Sequence, residues 1–150
     1  QIDAEDAIAT AEEELRRLSV EMRYLEQTAE MLQQRISMVN AAIADLTYAN
    51  ATLDGIEKEK ENVEMLVPIG GSSYVKVKLA DSSKVIVGMG SGVSVEQPLA
   101  QAKATLKERL DELEKTMNAA QQQFSQIAER INSGRGRLET LLAQSRAGNQ

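Results

Sequence analysis

The sequence predicts a mainly α fold with a β insert: two long helices pairing as an antiparallel coiled coil, joined by two β-hairpins. Three observations predict it. Apolar residues recur at alternating three- and four-residue steps from Ile8 to Leu53, and again from Leu106 to Leu141. Residues 66–97 between them show no helical period and instead alternate with period two. The chain also has only three Tyr, one Phe and no Trp. A Leu/Ile/Val/Ala seam does not need aromatic volume, whereas a compact core usually does.

The first helix can be written as heptads. Position a holds Ile8, Leu15, Met22, Ala29, Ile36, Ile43 and Asn50, and position d holds Ala11, Leu18, Leu25, Leu32, Val39, Leu46 and Leu53. An unbroken series of this length points to a left-handed coiled coil. A lone helix so long has no core to hold it and needs a partner. After Leu53 the seam falters: a and d would fall on Glu57 and Lys60, while Ile56 and Val63 leave the stripe. Gly55 stands here, and the charged run from Glu57 to Glu61 reads as a solvated helix face.

The insert reads as four short strands: Val67–Ile69, Ser73–Leu79, Lys84–Met89 and Val93–Glu96. Gly/Ser/Asp clusters bound them, which is the pattern of hairpins. Val75, Val77 and Leu79 point one way, as do Val85, Val87 and Met89. Four such strands bury too little alone, and their free edges invite pairing with strands of other subunits. Val75, Val77, Leu79, Val85, Val87, Val93 and Val95 are the candidate oligomerisation residues, with packing of the sheet on the bases of its own helices as the competing role. Gly88-Met89-Gly90-Ser91-Gly92 lacks both the Rossmann and the P-loop spacing and is read as a tight turn.

Pro98 suits a first helical turn. The second helix carries Leu106, Leu110, Leu113, Met117, Ala120, Phe124, Ile127, Ile131, Leu138 and Leu141 on its seam. Gly134 interrupts that seam, with Gly136 close behind. Each helix-interior Gly costs about 1 kcal/mol relative to Ala, so this stretch is expected to fray. Charge supports antiparallel pairing, in which e faces e and g faces g. Glu12 and Glu26 (e) and Glu14 and Glu21 (g) would meet Arg135 (e) and Arg130 and Arg137 (g). The boundaries expected for one domain over 1–150 are a helix at about 5–64, hairpins at about 66–97 and a helix at about 98–147.

Net charge is −6 and the pI about 4.8. Both argue against nucleic acid and against anionic membrane surfaces. There is no Cys and no His, so thiolate chemistry is absent and the commonest acid–base and metal ligand is missing. No nucleophile–base pair is in sight, and an enzyme is not expected; nor is a cofactor or a metal. Residues 1–15 are acidic and have no apolar signal core, and no run reaches the ~20 apolar residues of a membrane helix. A cytoplasmic location is the expectation. The open end of the rod, where the two chain ends meet, holds Ile8, Ala11, Leu15, Leu18, Leu138, Leu141 and Leu142. These side chains could be presented to a partner, with ordinary seam packing as the competing role.

The layout resembles prefoldin, also called GimC. Val67-Pro68-Ile69-Gly70-Gly71-Ser72-Ser73-Tyr74-Val75-Lys76 is similar to that family's VP-(I/L)-G-x-x-x-(Y/F)-V-K stretch. Lys84-Val85-Ile86-Val87-Gly88-Met89-Gly90-Ser91-Gly92-Val93 is similar to its K-V-(L/I)-V-x-(I/M)-G-x-G-(V/Y) stretch. Two hairpins instead of one indicate the alpha class, and the His-free, Cys-free chain resembles archaeal members. The resemblance implies an ATP-independent chaperone, a hetero-hexamer of two alpha and four beta subunits. Their hairpins would form β-barrels, and coiled-coil tips would hold unfolded proteins and pass them to a group II chaperonin, which would make Ile8, Ala11, Leu15, Leu18, Leu138, Leu141 and Leu142 the client-binding residues. The alternative is a coiled-coil scaffold or tether whose insert only oligomerises it, without client binding.

Overall fold

The structure, a computed structural model, describes residues 3–148. The elements follow in the order α1 (Ala4–Glu57), β1 (Glu64–Gly70), β2 (Ser73–Lys78), β3 (Lys84–Gly90), β4 (Val93–Pro98) and α2 (Leu99–Gly148). Helix α1 starts where Ala7 N donates to Asp3 O at 3.0 Å. Glu5 and Asp6 in its first turn face the positive end of the helix dipole.

Helix α1 stops at Glu57, short of the expected residue 64. Lys58 N bonds Gly55 O at 3.3 Å and Glu59 N bonds Ile56 O at 3.0 Å. These i→i+3 bonds tighten the last turn and end the helix. The charged run therefore lies mostly in an exposed turn and not on a helix face. The reason is physical: beyond Leu53 the stripe offers nothing to bury, and Gly55 weakens the last turn. Asn62 takes a positive φ of 65°. Its N–H reaches Leu79 O at 2.7 Å, and Leu79 N reaches Val63 O at 2.9 Å. The first hairpin is thereby extended by one rung beyond its strands.

The chain divides into two compact units. One contains α1 up to Asn40 and α2 from Thr116 onward. Its core is the seam: Met22, Leu25 and Ile131 are buried, with Leu18, Ala29, Ile127 and Leu138 packed around them. Here the helices run antiparallel, as charge predicted. Arg130 Nη2 lies 2.9 Å from Glu21 Oε1, Arg137 Nε 2.9 Å from Glu14 Oε1, and Arg135 Nη2 3.6 Å from Glu26 Oε1. The hydrogen bond from Arg137 holds the Glu14 carboxyl below its ordinary value, and Glu14 in turn raises Arg137. Such exposed pairs choose register and orientation more than they add stability.

At Gly134, where the sequence marks a weak point in the seam, the structure shows close packing. Gly134 is buried within an unbroken helix. A Cβ at this position would overlap Met22 Sδ and lie 3.4 Å from Met22 Cγ. The missing side chain is a socket for Met22, so the seam closes here. Gly136 has open space around it. Gly148 receives Ile8 in the same way, with Ile8 Cδ1 2.7 Å from where a Cβ would stand.

The second unit spans Ala41–Lys115 and holds the insert. Its core is Leu53 of α1, Val87 of β3 and Ala102 of α2, flanked by Val85, Leu99 and Leu106. Strand β1 pairs antiparallel with β2, and β3 with β4, as separate two-stranded sheets. The two hairpins share one design. Each has a register shift before the turn, between Pro68 and Gly70 and between Gly88 and Gly90. The shifted glycines have φ of 97° and 96°, and both central turn residues are positive as well: Gly71 and Ser72, Ser91 and Gly92. Positive φ at both centres matches the strand twist of a tight hairpin. Gly88–Gly92 is thus a hairpin bulge and turn. Pro98 closes β4 opposite Lys84 rather than opening α2.

Two outcomes test this packing. Gly136→Ala should stabilise the chain by about 1 kcal/mol in urea unfolding. Gly134→Ala should give a smaller gain or a net loss, because Met22 has to leave its seat. In a Met22→Ala background the gain at Gly134 should return, which a double-mutant cycle measures. Equal gains at both glycines in the parent chain would contradict the socket.

The second outcome concerns pH. Because Glu14 is depressed in the folded state, its pairing stabilises above the ordinary carboxylate value of 4.5. That contribution is lost as pH falls through the lowered folded value. Amide protection around Arg137 should fall as the pH drops below 4.5, and Glu14→Gln should remove that part of the acid sensitivity.

Candidate functional site

The hairpins are the first candidate surface. Residues paired across antiparallel strands share a face. In the first hairpin Met65 faces Val77 and Val67 faces Val75. Val67, Val75 and Val77 are exposed, and Leu79 is half-buried just beyond β2. The opposite face pairs Leu66 with Lys76 and Pro68 with Tyr74, and Leu66 and Tyr74 are also exposed. This hairpin presents apolar side chains on both faces.

The second hairpin behaves differently. Val87 pairs with Val95 and Val85 with Gln97. Val87 is 4% exposed against Leu53 and Ala102, and Val85 packs beside it. Buried Gln97 accepts from Thr105 Oγ1 at 3.4 Å. Val95 and Val93 on the partner strand stay exposed. The seven expected oligomerisation residues therefore have different surroundings. Val85 and Val87 pack on helices of their own chain, while Val75, Val77, Val93 and Val95 remain open. Each strand also keeps one unpaired edge.

Electrostatics fasten the base of this unit. Lys103 Nζ lies 2.7 Å from Asp54 Oδ1 and 2.6 Å from Glu57 Oε2. Hydrogen bonds to Asp54 and then Glu57 push the lysine up to about 12, and Lys103 holds Asp54 low. The clamp ties the last turns of α1 to the first turns of α2. Between the hairpins, Asp81 Oδ1 accepts from Ser83 Oγ at 2.6 Å and Ser83 N at 2.8 Å, which lowers its pKa. Leu99 N then bonds Ser83 O at 2.9 Å, seating the start of α2 on that loop. An open apolar groove of about 410 Å³ lies against β3, lined by Tyr48, Leu53, Ile56, Ile86 and Leu106 among others.

The chain-end residues of the other unit are the second candidate surface. Ala11 is buried and Leu141 is 1% exposed. Ile8, Leu15, Leu18 and Leu138 are half-buried, and Leu142 is 43% exposed. Most of this set forms seam, with Leu142 beside it as an open apolar side chain.

Sequence reasoning missed a third group. Val20, Tyr24, Met31 and Met38 on α1 are between 67% and 74% exposed. They fall at heptad positions f, c, c and c, which the sequence alone shows once the seam is assigned. Among the described residues no cluster of His, Cys, Asp or Glu could hold a metal ion, and no helix is long and apolar enough to cross a membrane.

Comparison with known proteins agrees with this geometry. The Prefoldin family model, described as prefoldin subunit, matches residues 25–144. A prefoldin subunit alpha of Methanosarcina mazei is 33% identical over 144 residues, covering 94% of this chain and 99% of that protein. The subunit alpha of Methanococcoides burtonii is 32% identical over 124 residues, covering 83% of this chain and 90% of that protein. In solved structures, filamentous PFD from Methanocaldococcus jannaschii superimposes with a TM-score of 0.64 at 25% identity, covering 74% of this chain and 92% of that one. With its paired helices, its two hairpins and a family match over most of its length, the chain belongs to the prefoldin family of chaperones.

Proposed function

We propose that this chain is an alpha-type subunit of a cytoplasmic, ATP-independent holdase. It assembles with four beta-type subunits and a second alpha chain, holds unfolded proteins at its coiled-coil tips, and passes them to a group II chaperonin. The observation that carries the reading is the set of unfinished apolar hairpin faces at Val67, Val75, Val77, Val93 and Val95 on a chain of this family. A two-stranded hairpin with open apolar faces and free edges is marginal alone and gains stability from neighbouring strands.

Client capture follows from the same physics. Non-native chains expose apolar surface, and each Å² covered contributes on the order of 25 cal/mol. One tip offers a small patch around Leu142, and several tips on one client multiply weak contacts through effective concentration. Release needs no fuel when a competing surface displaces the tips one at a time. The burial of Ala11 and Leu141 favours the second reading, a scaffold without clients, because these residues already have seam partners.

The assembled complex at several-fold excess should suppress aggregation of a denatured protein without ATP; no suppression sinks the chaperone reading. Deleting residues 1–17 and 139–150 spares the Met22, Ile131 and Gly134 packing. That truncated complex should keep its mass and lose most client capture. Unchanged capture would move the clients elsewhere, and loss of the hexamer would make these residues structural.

Val75→Asp together with Val95→Asp should abolish assembly by native mass measurement while circular dichroism keeps its helical signal. An intact hexamer would remove these two residues from the interface.

A further inference from the structure

The outward face of α1 carries an apolar strip that the seam does not use. Val20, Tyr24, Met31 and Met38 follow one another at steps of four, seven and seven residues along that face. An open furrow of about 320 Å³ lies in the strip, lined by Tyr24, Gln27, Thr28, Met31, Leu32 and Arg35. From Tyr24 to Met38 the outward b, c and f positions carry one charge, Glu30.

We infer that this strip is a second contact surface for non-native polypeptide, taking short apolar segments of an unfolded chain. The inference rests on the holdase reading and extends it from the tips to the shaft of α1. Three observations select this occupant over a helix or a permanent subunit. A coiled-coil partner needs two apolar columns, and here the f column beside Met31 and Met38 is Gln27 and Gln34. The four side chains expose on the order of 500 Å², a size at which a surface patch tends to be functional. That falls short of the roughly 800 Å² per partner in a standard lasting interface. From Tyr24 to Met38 the outward positions carry Glu30 as their one charge, with Arg23 beside Tyr24 and Arg35 at the edge of the furrow, so the strip offers its ligand mostly apolar contact. Unbranched, polarisable Met side chains at two of four positions repack against many shapes.

The test uses the assembled complex and reduced, carboxymethylated lactalbumin as a permanently unfolded probe. A photo-crosslinking residue placed singly at Met31 or Met38 should capture the probe. Replacing Val20, Tyr24, Met31 and Met38 together by Gln should weaken probe binding about three- to tenfold with the mass of the complex unchanged. The single-site crosslinks carry the test should that fourfold variant fail to assemble. Crosslinks only to other subunits, or no crosslink and unchanged affinity, overturn the inference and leave the holdase reading standing. If the parent complex itself does not bind the probe, the holdase reading fails and the inference falls with it.

Discussion

A narrow apolar stripe on a long helix cannot be covered by that helix, and most of this structure answers that constraint. The stripe repeats every 3.5 residues, so a second helix with the same repeat covers it along its length. In the unit that contains the chain ends, Met22, Leu25 and Ile131 are buried this way. A two-helix seam buries little beyond the stripe. Positions b, c and f stay in water, and function has to be carried by surfaces rather than by an enclosed pocket.

Within the seam, packing overrules local propensity. By itself Gly134 weakens a helix. In place it removes the Cβ that would collide with Met22, and the long thioether fills the space. Register follows from charge: Glu14 with Arg137 and Glu21 with Arg130 fit one antiparallel alignment. Shifting one helix by a turn would separate these partners. The pairs are exposed, so they choose among alignments whose stability comes from buried Leu, Ile and Met.

The insert answers the same burial constraint less completely. Val87 finds cover on Leu53 and Ala102, and Gln97 is buried with Thr105 as its partner. The first hairpin has apolar residues on both faces and only two strands to cover them. A chain that leaves such surface open gains from neighbours of its own kind.

Much of the fold was legible in the sequence because side-chain direction follows from local backbone geometry. The 3.5-residue period specified two seam helices, alternation specified four strands, and the e and g charges specified the antiparallel sense. The Gly/Ser clusters marked turns because positive φ is tolerated there, as at Gly71 and Ser72. What the period does not say is which neighbour covers a face. Val87 and Val95 have the same alternation, yet one is buried on its own helices and the other is open. Helix α1 ends at Glu57 where its stripe runs out, and the turn that follows is tied through Asn62 to Leu79, a residue distant in sequence. Gly134 reads as a defect until Met22 is seen above it. Sequence by itself determined the elements and their polarity. The tertiary structure decided who packs on whom, because that depends on volumes and partners brought together from remote parts of the chain.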